Sequence, residues 1–191
     1  MVEPEDVVGQ SRIMLALDPL EVGAGQIIAT LREYVYAQRE YASTGRDGHP
    51  SAYAQKVPST AGHHDGLYWP VAEGDPASPL GELVADAVEA AYAESADGGP
   101  RPFHGYYFRI LTRQGAGAPG GERDYVDHRG LMTRGFAAVA WPATYDNSGI
   151  MTFLVNHLGI VFEKDLGPNT EKTVRSMTSY DPDDTWAPAV D

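Results

Sequence analysis

Between Phe103 and Gly167 the hydrophobic positions fall on alternate residues in four separate runs. In FHGYYFRILTRQG, alternation along a strand puts Tyr106, Phe108, Ile110 and Thr112 on one side, and Tyr107, Arg109, Leu111 and Arg113 on the other. The first side is expected to be dry and the second mixed. The run GFAAVAWPATY and the two halves of GIMTFLVNHLGIVFEKDLG behave alike, with Met151, Phe153 and Val155 opposing Ile150, Thr152 and Leu154. Leu158-Gly159 stands where a reversal needs positive φ, so Gly149 to Asp165 is predicted to be a hairpin. β-branched and aromatic residues dominate while Glu and Gln are scarce, which favours an antiparallel sheet over a buried helix.

A sheet with an apolar face needs a cover, because each large apolar side chain removed from water contributes roughly 1.5–3 kcal/mol. The amphipathic stretch from Gln26 supplies it: Ile27, Ile28, Leu31, Tyr34, Val35, Gln38 and Tyr41 recur at three- and four-residue steps. This helix is expected to stop near Ser43, where Thr44-Gly45 and Asp47-Gly48 bring turn chemistry. Residues 1–25 read as an N-terminal arm or short helix, and 26–191 as a single α+β domain. A loop-rich stretch from Arg46 to Ala77 follows, with one helical turn expected around Ser51 to Lys56 and with Tyr68 and Trp69 expected to be packed. Ser78 and Pro79 then open a second, flanking helix to about Ala93, turning Leu80, Leu83, Val84, Ala87, Val88 and Ala91 inward. Gly115 to Gly121 reads as a flexible connection, Gly167 to Met177 as a short helix, and the acidic tail with Trp186 as a surface segment. The predicted fold is thus a helix packed on an antiparallel sheet of four strands or slightly more, with a second helix on the flank and long loops.

Charge and composition narrow the partners more than the fold. A formal charge of −13 over 191 residues, with no basic cluster, argues against nucleic acid. Absence of cysteine removes disulfides, thiolate metal sites and thiol nucleophiles together. No apolar run approaches the roughly 18 residues that a membrane-spanning helix needs.

Several long strings are shared with a known family. Tyr34-Val35 with AQREY (37–41), DGLYWP (65–70), SPLG (78–81), HGYYFRILT (104–112), APGG (118–121), VAWP (139–142) and Ser148 to Gly167 resemble the bacterial family catalogued as domain of unknown function 2950. That resemblance covers roughly Gln26 to Trp186 and implies a secreted or envelope protein, periplasmic or extracellular, with no assigned activity. It also implies that an N-terminal domain carried by many members is replaced here by Met1 to about Gly25. A second resemblance concerns architecture: a helix carrying the Leu-Arg-x-Tyr and Ala-Gln-x-x-Tyr patterns, then a sheet, is similar to the head of pilin-like and pseudopilin proteins. Their long apolar N-terminal helix has no counterpart in this sequence.

The most chemical-looking residues are His63, His64 and Asp65, since two imidazoles and a carboxylate can hold a divalent metal, with His104 as a third ligand or a general base. In an extended segment adjacent residues point opposite ways, which favours the plainer reading as polar loop residues. His128 and His157 take the same discount, and Ser148-Gly149 after Asp146-Asn147 reads as a turn. Tyr68, Trp69 and Arg109 are candidate binding residues, the aromatics for a sugar or peptide. Arg109 and Arg113 are expected to pair with acidic neighbours. With no convergent catalytic motif, the expectation is a non-enzymatic structural or interaction subunit with a protein partner or a second copy, and no cofactor. A histidine- or metal-dependent hydrolase and a carbohydrate- or peptide-binding module are the rivals.

Overall fold

The computed structural model describes residues 19–45, 51–71, 73–81 and 102–190. Helix α1 runs Pro19–Thr44, and its stripe is the predicted one: Ile27, Ile28, Leu31, Tyr34, Val35, Gln38 and Tyr41 are all buried. The helix starts earlier than Gln26 because Gly23 and Gly25 weaken it by only about 1 kcal/mol each and meet no steric obstacle. It ends as expected, with Gly45 in the left-handed region and the Ser43 and Thr44 hydroxyls donating to the Glu40 carbonyl.

Among the described residues five strands form one antiparallel sheet in the order β1-β4-β5-β6-β7: β1 Tyr106–Leu111, β4 Ala137–Pro142, β5 Met151–Asn156, β6 Val161–Asp165 and β7 Ala187–Pro188. A separate ribbon pairs β2 (Arg113–Gln114) with β3 (Arg123–Asp124). The four predicted runs are therefore β1, β4, β5 and β6, and the β5–β6 hairpin turns at Gly159 with φ of 88°. A fifth strand comes from the tail. Trp186 is 9% exposed, Lys164 lies over its ring, and the Ala189 amide donates to the Val161 carbonyl, so the segment expected on the surface is built into the sheet edge.

Register divides the side chains between two faces. Leu111, Ala137, Val139, Leu154 and Asn156 share one of them with Arg109 and Trp141. Arg109 Nη2 donates to the Val174 and Met177 carbonyls, each at 2.6 Å, so this face is closed by the short helix α2 (Thr170–Ser176). Arg109 thus closes the carbonyl end of a helix instead of pairing with an acid; Arg113 does pair, with Glu122 at 2.9 Å and Asp124 at 3.4 Å. On the other face lie Tyr106, Ala138, Ala140, Phe153, Val155 and Val161, all buried, with α1 running against β5 and β6. Strand β1 lacks the clean dry side expected of it, since Phe108 and Ile110 are only half-buried. Among the described residues it is an edge strand, with a sheet neighbour on one side alone.

Two loops depart from expectation. Residues 51–56 form no helical turn: Ser51 sits in a turn at φ of 61° and Tyr53 bridges to Met132. The glycine-rich loop 115–121 is tied down: fully buried Gln114 donates to the Pro119 and Gly121 carbonyls, and Asp181 accepts from the Gly117 amide at 2.8 Å. A Cβ on Gly115 would lie 2.2 Å from the Asp181 carboxyl carbon, so this loop uses glycine for close approach. Most of the predicted second helix, 82–93, lies outside the described residues, as do residues 1–18 of the N-terminal arm, whose remainder, 19–25, belongs to α1; residues 79–80 form a bend and not a helical turn, with Leu80 buried and the Ser78 hydroxyl donating to the Leu67 carbonyl.

Two glycines test the packing in opposite directions. A Cβ on Gly149 would stand 2.1 Å from the hydroxyl of buried Tyr106, whereas one on Gly25 meets nothing within 4 Å. In urea unfolding, Gly149→Ala should cost about 1–3 kcal/mol, and Gly25→Ala should gain up to about 1 kcal/mol.

Candidate functional site

The hollow of interest forms where the C-terminal end of α1 meets the extended segment 52–56. It has a volume of about 290 Å³ and is lined by Tyr41, Ala52, Tyr53, Ala54, Gln55, Lys56, Asp65, Leu131 and Met132. Its wall is hung on one side chain. Gln38, fully buried, donates through Nε2 to the Ala54 carbonyl at 2.8 Å and accepts the Ala54 amide at 2.9 Å through Oε1, while Nε2 also reaches the Tyr34 hydroxyl. An amide side chain offers both a donor and an acceptor, so it can replace a strand neighbour for one residue. The Tyr53 amide then donates to the Met132 carbonyl at 2.7 Å, Gln55 reaches the Gly130 carbonyl, and the Tyr53 ring packs edge-on to Phe136.

The opposite lip is charged but internally neutralised. Asp65 takes Lys56 Nζ at 2.7 Å, the Thr60 amide at 2.8 Å and the Thr60 hydroxyl at 2.9 Å. Burial pushes its pKa up, but the bonds from Lys56 and Thr60 outweigh that and hold it down at about 2. Behind the lip the DGLYWP stretch folds back on residues 56–59: the Leu67, Tyr68 and Ser59 amides bond to the Lys56, Val57 and Tyr68 carbonyls. A Cβ on Gly66 would lie 2.6 Å from the Val57 carbonyl oxygen, so that fold requires glycine. A second tight turn, 127–131, supports the far side; Asp127 accepts Arg129 and the Leu131 amide, and the Arg129 bond above all holds its pKa near 2.

The sequence-level candidates do not gather here. Asp65 borders the hollow. His64 is half-buried with its ring 4.4 Å from Trp69, and its carbonyl accepts the Tyr41 hydroxyl. His63 is exposed, its amide bonded to the Thr60 carbonyl. His104 is exposed in a turn at φ of 45°, its ring against Phe103, and the space beside Gly105 is taken by Ser148. Among the described residues no three His, Asp or Glu are arranged to hold a metal ion. Trp69 is 3% exposed and donates to the Pro76 carbonyl; Tyr68 is half-buried against the core, so the pair is packed as expected. His128 is exposed, and His157 sits just past β5 with its ring against Tyr125 and Phe136. Gln38 was visible as the one polar residue in an apolar stripe, but nothing in the sequence says that its partner is Ala54.

The family model described as "Protein of unknown function (DUF2950)" matches residues 22–189. The chain belongs to this family. No curated protein and no solved structure matches it. The match takes in α1 from its second turn, both sheets and the tail through β7, so the DUF2950 unit includes the elements that line the hollow.

Two measurements probe this part of the DUF2950 domain. Gln38→Leu strips partners from the buried Ala54 amide and carbonyl; it should cost about 2–4 kcal/mol and speed exchange of the Ala54 amide well beyond that of the β5 amides. Asp65 is lowered on folding, so its stabilisation is complete above the ordinary carboxylate pKa and is lost as pH falls towards 2. Asp65→Asn should flatten the pH dependence of stability between about 4 and 2, and at neutral pH should cost less than about 1 kcal/mol, because the pair is solvent-screened.

Proposed function

We propose that this chain is a non-enzymatic interaction domain of the bacterial envelope or cell surface, periplasmic or extracellular, which receives an apolar side chain of a protein partner in the Tyr41–Tyr53–Met132 hollow. The observation that carries this reading is the division of labour around the hollow. Its lining is mostly aromatic and aliphatic, while Gln55, Lys56 and Asp65, the amide and charged side chains that border it, are engaged with the Gly130 carbonyl and with one another, and Gln38 behind them holds the Ala54 backbone. Such a surface offers shape and desolvation, not a base or a nucleophile. The envelope setting rests on the family resemblance. A helix laid on an antiparallel sheet supports the coarse part of the pilin-like reading.

A photo-cross-linking amino acid at exposed Gln55, on the rim, tests the reading in native envelope fractions. The expected result is one discrete protein adduct from position 55 and none from the control position Glu171 on α2. Equal labelling from both positions, or stoichiometric zinc or another transition metal in the purified chain, would overturn it.

A further inference from the structure

We propose that the outer edge of β1 is a docking slot for a short extended segment of a protein partner, apolar at alternate positions, which enters as an added strand. The backbone phase of β1 carries the argument. The Ala143 amide donates to the Gly105 carbonyl at 2.8 Å, so the alternation of an antiparallel ladder turns the peptide groups of Tyr107, Arg109 and Leu111 towards β4. Those of Tyr106, Phe108 and Ile110 therefore face outward.

Both ends of that edge are taken. Tyr106 exchanges two bonds of 2.8 Å with Phe103, and the Thr112 carbonyl accepts the Tyr125 amide at 2.8 Å. Between them the N–H and C=O groups of Phe108 and Ile110 meet no hydrogen-bond partner among the described residues. Donors and acceptors repeating at strand spacing are matched by another extended backbone. The opposite edge of the sheet is guarded, since β7 is two residues long and includes Pro188, which has no N–H to offer. Strand β1 has six residues without proline or lysine, and its one charge, Arg109, is drawn to the Val174 and Met177 carbonyls.

Side chains and length select the partner. Phe108 and Ile110 are half-buried beside Ala140 and Ala138, and an aromatic or β-branched residue across from each on the added strand would cover them. With Phe103 opposite Tyr106 and Tyr125 opposite Thr112, the positions open to such a strand are those facing residues 107–111. A second β1 does not fit. Matching Phe108 to Ile110 of another copy would set the copy's Thr112 opposite Tyr106, where Phe103 stands. The incoming segment has to leave the sheet at both ends after about five residues, as an exposed loop or chain end of a different protein does.

The probe is the peptide acetyl-Thr-Val-Thr-Ile-Thr-amide, titrated at millimolar concentration into the isotope-labelled full chain and followed by NMR. It is expected to shift the Phe108 and Ile110 amides more than the β5 amides. N-methylation of its Val and Ile removes the two N–H groups that face β1 and should weaken binding about tenfold. N-methylation of the central Thr, whose N–H points away, should leave affinity unchanged. Ile110→Lys should abolish the shifts; if that variant does not fold, the methylated peptides carry the test. No response at Phe108 and Ile110, or equal affinity of the two methylated peptides, would overturn the proposal. So would exchange of these two amides in the free chain as slow as in β5, which would mean that the slot is filled by the chain itself or by a second copy. The slot shares no residue with the lining of the hollow, and its failure leaves the Gln55 cross-link untouched.

Discussion

Strand β5 is wet on neither side. Thr152 through Asn156 are all buried, odd positions against one layer and even positions against another, and no single cover could achieve that. The chain meets the demand with unequal means. On one face a helix of 26 residues presents a continuous apolar stripe; on the other a helix of seven residues, Tyr180 and Trp186 assemble a patchwork. Because apolar burial is the dominant favourable term in a domain whose net stability is small, both covers are needed.

The patchwork cover comes at the cost of buried backbone ends and irregular loops, each of which needs hydrogen-bond partners away from water. Three long polar side chains provide them. Arg109 closes α2, Gln114 spans the 115–121 loop, and Gln38 stands in for a strand beside Ala54. None of these reads as a core residue by hydrophobicity, yet Gln38 and Gln114 are fully buried. The hollow beside Tyr41 and Tyr53 is a by-product of the Gln38 arrangement: an extended segment is held against a helix end, and the two do not fill the space between them.

The same logic separates the two surfaces of interest. At the hollow the polar groups are engaged and the apolar ones face inward. At the β1 edge the peptide groups of Phe108 and Ile110 face outward without a partner among the described residues. The hollow borders the C-terminal end of α1, on which the β5–β6 turn also packs through Arg39, and the slot lies at one rim of the sheet.

Local pattern was enough to place α1, β1, β4, β5, β6 and the short helix after Gly167, because helical and strand periods differ and each of these segments carries one of them cleanly. It was also enough for the Gly159 turn and for the packing of Tyr68 and Trp69. Strand order was not legible, so the edge position of β1 and its half-wet face came only with the assembled sheet. The tail looked like a solvated segment because Asp and Pro outnumber its aromatics, and only contact with β6 draws Trp186 inward. His63, His64, Asp65 and His104 are close or suggestive in sequence, but Asp65 is engaged by Lys56 and Thr60, the His64 ring lies against Trp69 and the His104 ring against Phe103. Sequence by itself determined which segments form helix and strand and which of their faces are apolar, since that is written in the spacing of neighbours. The tertiary structure decided which distant groups satisfy one another, because a buried donor is paired by whatever acceptor the packed chain brings within about 3 Å.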